Sequence, residues 1–214
     1  MTLDGKIATR SRDSKISCEE DLLRVHHLRA SVDAIIVGVE TILGDNPRLT
    51  THRTRGRNPM RVILDSTART PLTARALTNS DVDRVLIAVT NNAPSEKVHA
   101  LRSAGVDVVM TGSDNKVDVP LLMHALHERG VEKVLVEGGG TVNWSLLSLG
   151  LIDEIRVAVA PIIVGGKDST TLVEGEGVQK IDDGINLTLQ CIEQYGRDLV
   201  LTYKPTYKPT YKMV

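Results

Sequence analysis

Two stretches of this sequence hold residue types that chemistry uses, at spacings that matter. The first is Val134-Leu135-Val136-Glu137-Gly138-Gly139-Gly140-Thr141, an apolar run that passes through three glycines into a helical segment. Without Cβ atoms the backbone there can approach a ligand closely, and the first N–H groups of the next helix face outward with partial positive charge. Such a turn suits the pyrophosphate of a dinucleotide. A tight strand-to-helix turn needs the same glycines for geometry alone. The spacing is not Gly-x-Gly-x-x-Gly. Gly165-Gly166-Lys167-Asp168-Ser169 fails as a phosphate loop, because Asp168 stands where Ser or Thr must follow Lys. The second stretch runs from Gly38 to Thr50, where an apolar strand ends, the edge at which open α/β sheets bind ligands. Thr41 and Asp45 are four apart and share a face if Val39–Gly44 form a helical turn. Asp45-Asn46-Pro47 is also a strong turn signal in its own right.

Other chemistry finds little to work with. His26 and His27 are adjacent and face different ways on a helix, and His124 and His127 are three apart. No Glu-x-x-His or His-x-Glu accompanies them, so no metal is expected. Cys18 and Cys191 form no CxxC pair, and no Gly-x-Ser-x-Gly elbow occurs, which argues against covalent hydrolysis.

The elements that must position these residues alternate. Strands are expected at Ala34–Gly38, Arg61–Asp65, Arg84–Val89, Val106–Met110 and Lys133–Glu137, several of them continuous apolar runs of the kind covered on both faces. Helices are expected at Glu19–Ala30, Ser95–Ala104, Val119–Arg129 and Val142–Leu149, each crossing to the next strand. A serine cap at Ser95 and stops at Gly105 and Gly130 fit this reading. After Leu151 the pattern changes to strands at Glu154–Ala160, Leu187–Ile192 and Leu199–Tyr203, separated by Gly-rich turns. The expected fold is α/β: a mixed, mainly parallel sheet flanked by helices, with antiparallel C-terminal strands. The repeats of Tyr-Lys-Pro-Thr from residue 204 to 214 read as an extended, disordered tail, since proline at every fourth residue prevents a helix or a central strand.

Composition narrows the partners. The 214 residues carry 26 basic and 27 acidic side chains, a net charge of −1, which argues against nucleic acid and against a polybasic membrane module. There is no Phe, one Trp and four Tyr, so the core must be aliphatic and no aromatic platform for bases exists. No apolar run approaches a membrane span, and two unpaired cysteines fit a reducing cytoplasm. At roughly 150 residues per domain, a single domain over residues 1–203 is expected.

Read together, the motifs resemble one family. Thr2-Leu3-Asp4-Gly5-Lys6-Ile7-Ala8 is followed by Leu28-Arg29-Ala30 with Asp33-Ala34-Ile35-Ile36-Val37-Gly38, then by Thr41 with Asp45-Asn46-Pro47 and Leu49-Thr50. Arg61-Val62-Ile63-Leu64-Asp65-Ser66, Glu137-Gly138-Gly139 and Leu151-Ile152-Asp153-Glu154 come next, with Pro161 and Gly165-Gly166 after them. The set is similar to the riboflavin-biosynthesis reductases, which have a dihydrofolate-reductase-like fold. Lacking the zinc-deaminase motifs, the chain looks like the stand-alone archaeal and fungal form. That form reduces 2,5-diamino-6-(ribosylamino)pyrimidin-4(3H)-one 5′-phosphate to the ribitylamino compound before deamination.

The resemblance implies NADPH, with NADH possible, held by Thr41, Asp45, Ser66, Gly138, Gly139, Gly140, Thr141 and Lys15. It implies a substrate site of Asp13, Arg29, Asn46, Leu49, His52, Arg53 and Glu137, with Asp45 and Glu137 as the catalytic residues and Asp45, Glu137, Lys15 or a bound water as the candidate proton source. Arg29 is read as a planar fork for the substrate phosphate. His52 stands where relatives often have a phosphate-binding Arg, so Arg53 or Arg55 is a possible substitute. Arg69 and Arg84 compete for the cofactor's 2′-phosphate. A homodimer is expected from the family. The deaminated uracil phosphate as substrate, a dihydrofolate reductase proper, and a non-catalytic nucleotide-binding module are the alternatives.

Overall fold

The apolar runs become strands because neither face of them meets water. In the computed structural model, which describes residues 1–78, 84–113 and 115–207, β1 (Ala34–Gly38) and β3 (Val85–Val89) are buried at every position. β2 (Met60–Leu64), β4 (Asp107–Met110) and β5 (Val134–Gly138) complete a five-stranded sheet in the order β4-β3-β2-β1-β5. Every neighbouring pair is parallel. Strands β2, β3 and β4 are added in turn on one side of β1, and β5 returns to the other side. The direction of winding therefore reverses between β1 and β5, the place where such sheets leave a crevice.

The chain forms two compact units, residues 23–142 around this sheet and residues 1–22 together with the chain from Asn143 onward. The helices are α1 (Glu19–Ala30), α2 (Val39–Asp45), α3 (Ser95–Ser103), α4 (Val119–His127) and α5 (Gly140–Ser148). Caps account for their ends. Asp118 accepts a hydrogen bond from the Leu121 N–H at the start of α4, and Gly130 at φ +77° closes its other end. Ser95 differs from its expected role: it is the first helical residue of α3, and Pro94 precedes it without a side-chain cap. Both readings of the segment after Gly38 hold, because α2 is a helix that ends on Asn46 in the left-handed conformation at φ 43°. The core of the unit is aliphatic, with Ile35, Ile63 and Ile87 fully buried.

The later strands are antiparallel, as expected, and hydrogen-bond among themselves as a separate sheet rather than joining the parallel one. β6 (Ile155–Val159), β7 (Asn186–Tyr195) and β8 (Asp198–Thr206) take the order β6-β8-β7. Residues 204–206, expected to belong to an extended tail, are part of a strand. β8 runs past Tyr203 to Thr206, and Tyr207 donates its hydroxyl to the Ile152 carbonyl. Proline is tolerated here because β6 stops pairing at Tyr203, leaving Pro205 opposite Leu187 on one side only. Residues 208–214 lie outside the described part of the chain. Near the N-terminus, Asp4 accepts hydrogen bonds from Thr2 Oγ1 and the N–H groups of Val164 and Gly165. These bonds, that from Thr2 foremost, hold its carboxyl down to about 2. No helix among the described residues is long and apolar enough to cross a membrane.

Two outcomes follow from this packing. Ile63→Ala should lose about 2–5 kcal/mol in urea unfolding with the slope unchanged. A carboxyl lowered on folding stabilises the fold above its unfolded pKa and loses that contribution as pH falls through the folded value. The Asp4 contribution is therefore lost between about pH 4 and pH 2, and Asp4→Asn should flatten acid unfolding over that interval.

Candidate functional site

The carboxyl ends of β1 and β5 meet where the winding reverses. β1 and β5 pair Ile36 with Val136 but Val37 with Gly138, so Glu137 is an extra, bulged residue that leaves the ladder. A Cβ on Gly38 would sit 2.9 Å from Val142 Cγ2, and one on Gly139 would sit 3.9 Å from Thr41 Oγ1. The turn into α2 and the glycine bend into α5 are therefore packed together, and glycine is what allows it. Thr41 is half-buried, and Asp45 lies one helical turn on, exposed. Ser66, beyond β2 on the same edge, uses its carbonyl to accept from both the N–H and the hydroxyl of Thr90. Further along, beyond β4, Gly112, Ser113, Asn115, Lys116 and Asp118 line an open cavity of about 400 Å³. Thr141 is exposed in the first turn of α5.

The bulge aims Glu137 at Arg29. Arg29 donates from Nε to Oε1 at 2.7 Å and from Nη2 to Oε2 at 2.6 Å, and from Nη1 to the Thr50 carbonyl at 3.2 Å. The side chains are 14% and 18% exposed. Two parallel charge-assisted bonds of this kind fix both groups. Arg29, read as a planar fork for the substrate phosphate, thus commits two of its five N–H donors to Glu137 and one to the Thr50 carbonyl.

Beside this pair His52, expected at the substrate site with Arg53, meets His26, a contact that the sequence did not announce. His26 is 5% exposed and meets the ring of His52 edge-on, with centroids 4.5 Å apart. Thr50 Oγ1 is 3.1 Å from His52 Nδ1. Burial, then the charges of Arg29, His52 and Arg53, push His26 down to about 4. His52 is lowered too, by desolvation first and then by Arg48, Arg53, Arg29 and Arg75. Both rings are therefore neutral near pH 7, with several guanidinium groups acting on them. The pair arises where α1 meets the turn at residues 50–53, so no spacing in the sequence announces it.

Other expected residues fall differently. Leu49 is 1% exposed within the core at φ 56°, so its side chain is structural rather than a lining of the site. Asn46 accepts the Arg75 N–H on its amide oxygen while capping α2. Arg84 precedes β3 at the opposite edge of the sheet and donates to the Arg129 carbonyl, which removes it as a 2′-phosphate ligand. Arg69 donates to Glu40 at 2.7 Å. Asp13 and Lys15 belong to the other unit, in an exposed turn where Asp13 Oδ1 accepts the Lys15 N–H.

Comparison with known proteins supplies the family. The chain is 50% identical over 206 residues to the 2,5-diamino-6-ribosylamino-4(3H)-pyrimidinone 5′-phosphate reductase of Methanothermobacter thermautotrophicus, covering 95% of this chain and 94% of that protein. RibD of Acinetobacter baumannii superposes with a TM-score of 0.79 at 27% identity over 96% of this chain, which spans 55% of that longer protein. A dihydrofolate reductase from Enterococcus faecalis, 14% identical with a TM-score of 0.51 over 97% of this chain and 93% of that one, shares the fold alone. A family model described as the RibD C-terminal domain matches residues 1–201, and the chain belongs to that family.

Proposed function

We propose that this chain is the NADPH-dependent reductase that converts 2,5-diamino-6-(ribosylamino)pyrimidin-4(3H)-one 5′-phosphate to its ribitylamino form in riboflavin biosynthesis. The observation that carries the reading is the packing of the glycine bend against Thr41, within reach of the Glu137–Arg29 pair, at the reversal of the sheet. The name of the relative at 50% identity supports the diamino compound as substrate.

The residues present fit a nicotinamide dinucleotide. The bend from Gly138 to Thr141 would hold the pyrophosphate: a Cβ at Gly139 would find only one atom, at van der Waals distance, and Thr141 is exposed. Along the same edge, Thr41, Asp45 and Ser66 lead toward the cavity beyond β4. Three strand spacings, about 14 Å, separate β1 from β4, a reach suited to an extended dinucleotide. The reduced nicotinamide, when bound, supplies the hydride for C1′ of the ring-opened imine. The protein's task is then to hold two ligands together at the right angle and exclude water. Glu137, fixed by Arg29, keeps lone pairs on both oxygens with which to orient a ribose hydroxyl. Asp45, exposed on α2, is the carboxylate assigned to relay the proton to nitrogen. His52, Arg53 and the neighbouring guanidinium groups are assigned to the substrate phosphate. Asp13 and Lys15 keep their substrate and cofactor roles on the resemblance alone.

The family match spans both units, which supports reading residues 1–203 as one reductase domain. A homodimer is part of the same proposal. The pairing of β6, β8 and β7 sets Ile155, Val157, Leu199, Leu201, Leu189 and Ile192 on one face. Leu189 is 47% and Ile192 57% exposed, an apolar surface that a second copy would cover. A cytoplasmic location is in keeping with two free cysteines.

Following NADPH absorbance with the diamino and the deaminated substrates tests the activity, and kcat/KM should favour the diamino compound. No oxidation of NADPH with either would overturn the reading. Asp45→Asn should lower kcat by about 10²-fold or more, in line with loss of an acid–base group. Gly139→Ala fits the protein, so its melting temperature should hold while NADPH binds roughly tenfold more weakly. Ile192→Glu should convert a dimer to a monomer in light scattering.

A further inference from the structure

We propose that Asp65, a wholly buried carboxylate directly after β2, is a positioning residue for the cofactor edge. It fixes the turn that carries Ser66 and, through Arg69 and Glu40, latches that turn to α2 beside Thr41. The proposal goes beyond the reading of the chain as a nicotinamide-dependent reductase and rests on it, because the edge lined by Thr41 and Ser66 is taken as the place of the dinucleotide.

Asp65 is 0% exposed, and its two oxygens have different tasks. Oδ2 accepts from both the N–H and the hydroxyl of Thr70, each at 2.7 Å, which closes residues 65–70 into a turn. Inside the turn Ala68 is buried at φ 54°, a conformation that alanine keeps only where its surroundings impose it. The Ser66 carbonyl is committed to Thr90, just after β3, accepting from its N–H and its hydroxyl at 3.0 Å each. The turn is thus anchored from two sides, and Ser66 is fixed with it.

The other oxygen, Oδ1, has no hydrogen-bond partner, and Arg69 Nε stands 3.9 Å from it. A carboxylate withdrawn from water with one oxygen unbonded is a poor way to close a turn. An amide would take the same two Thr70 bonds without a buried charge. The charge acts instead on Arg69. Its Nη1 donates to Glu40 Oε1 at 2.7 Å, and Glu40 lies on α2 directly before Thr41. With Arg69 47% and Glu40 59% exposed, that bond alone would be screened and weak. The buried charge beneath it holds the guanidinium by its Nε side and leaves Nη1 directed at Glu40. The turn after β2, the end of β3 and the start of α2 are joined in this way along one edge.

Binding of NADPH to the full chain without substrate, followed by the fluorescence of the dihydronicotinamide, tests the latch. Asp65→Asn keeps an oxygen for Thr70 and removes the charge, and Glu40→Gln removes the far end of the latch. Each should weaken NADPH binding roughly three- to tenfold. The double variant should be about as weak as the worse single one, because both act through Arg69. In turnover, KM for NADPH should rise in step while kcat holds within about twofold, and KM for the ribosylamine phosphate should not move. A merely structural Asp65 would lower the melting temperature and leave its effect on NADPH adding to that of Glu40→Gln. Wild-type affinity in either single variant, or additive losses in the double variant, would overturn the proposal. Glu40→Gln, at the surface, decides it if Asp65→Asn does not fold. Failure of the reductase reading looks different: the wild-type chain itself would bind no NADPH, which would overturn both.

Discussion

At the end of β1 there is no room for a Cβ on Gly38, which would sit 2.9 Å from Val142 Cγ2. Gly38 closes β1 against Val142, and the glycines that follow β5 pass beside Thr41, so two strand-to-helix turns occupy the space that one usually needs. That constraint keeps a Cβ off Gly38, at the edge where an open parallel sheet leaves its crevice. Beside it, the β1–β5 ladder shifts register and leaves Glu137 as an extra residue next to the glycine bend.

Electrostatics then divides the site. Glu137 and Arg29 satisfy one another through two parallel hydrogen bonds, and a largely buried pair of this kind is costly to break because either partner alone would be left uncompensated. A few residues away, around His26 and His52, the guanidinium groups of Arg29, Arg48, Arg53 and Arg75 act together and hold both imidazoles below their ordinary values.

Much of this was legible from residue order. The limits of α1 at Glu19–Ala30 and β1 at Ala34–Gly38 match those expected, because continuous apolar runs and helical spacing report burial directly. The glycine bend and Thr41 were singled out on local grounds, and their meeting is a matter of strand order. What local pattern cannot show is which donors tertiary contacts consume. The sequence names Arg29 without showing that the bulge delivers Glu137 to it, and Leu49 reads as a lining residue until it turns into the core. His26 is the converse, an unremarkable helix residue given meaning by a turn 26 positions away. The strand through Pro205 eluded the pattern because proline is forbidden only where both sides are paired, and β6 has already stopped.

The account turns on where the cofactor lies, and a crystal structure of the protein soaked with NADPH tests that most directly. The pyrophosphate should rest on the backbone N–H groups from Gly138 to Thr141, with the nicotinamide between Thr41 and Glu137. Density for the dinucleotide at the opposite edge of the parallel sheet, beside Arg84, would contradict it.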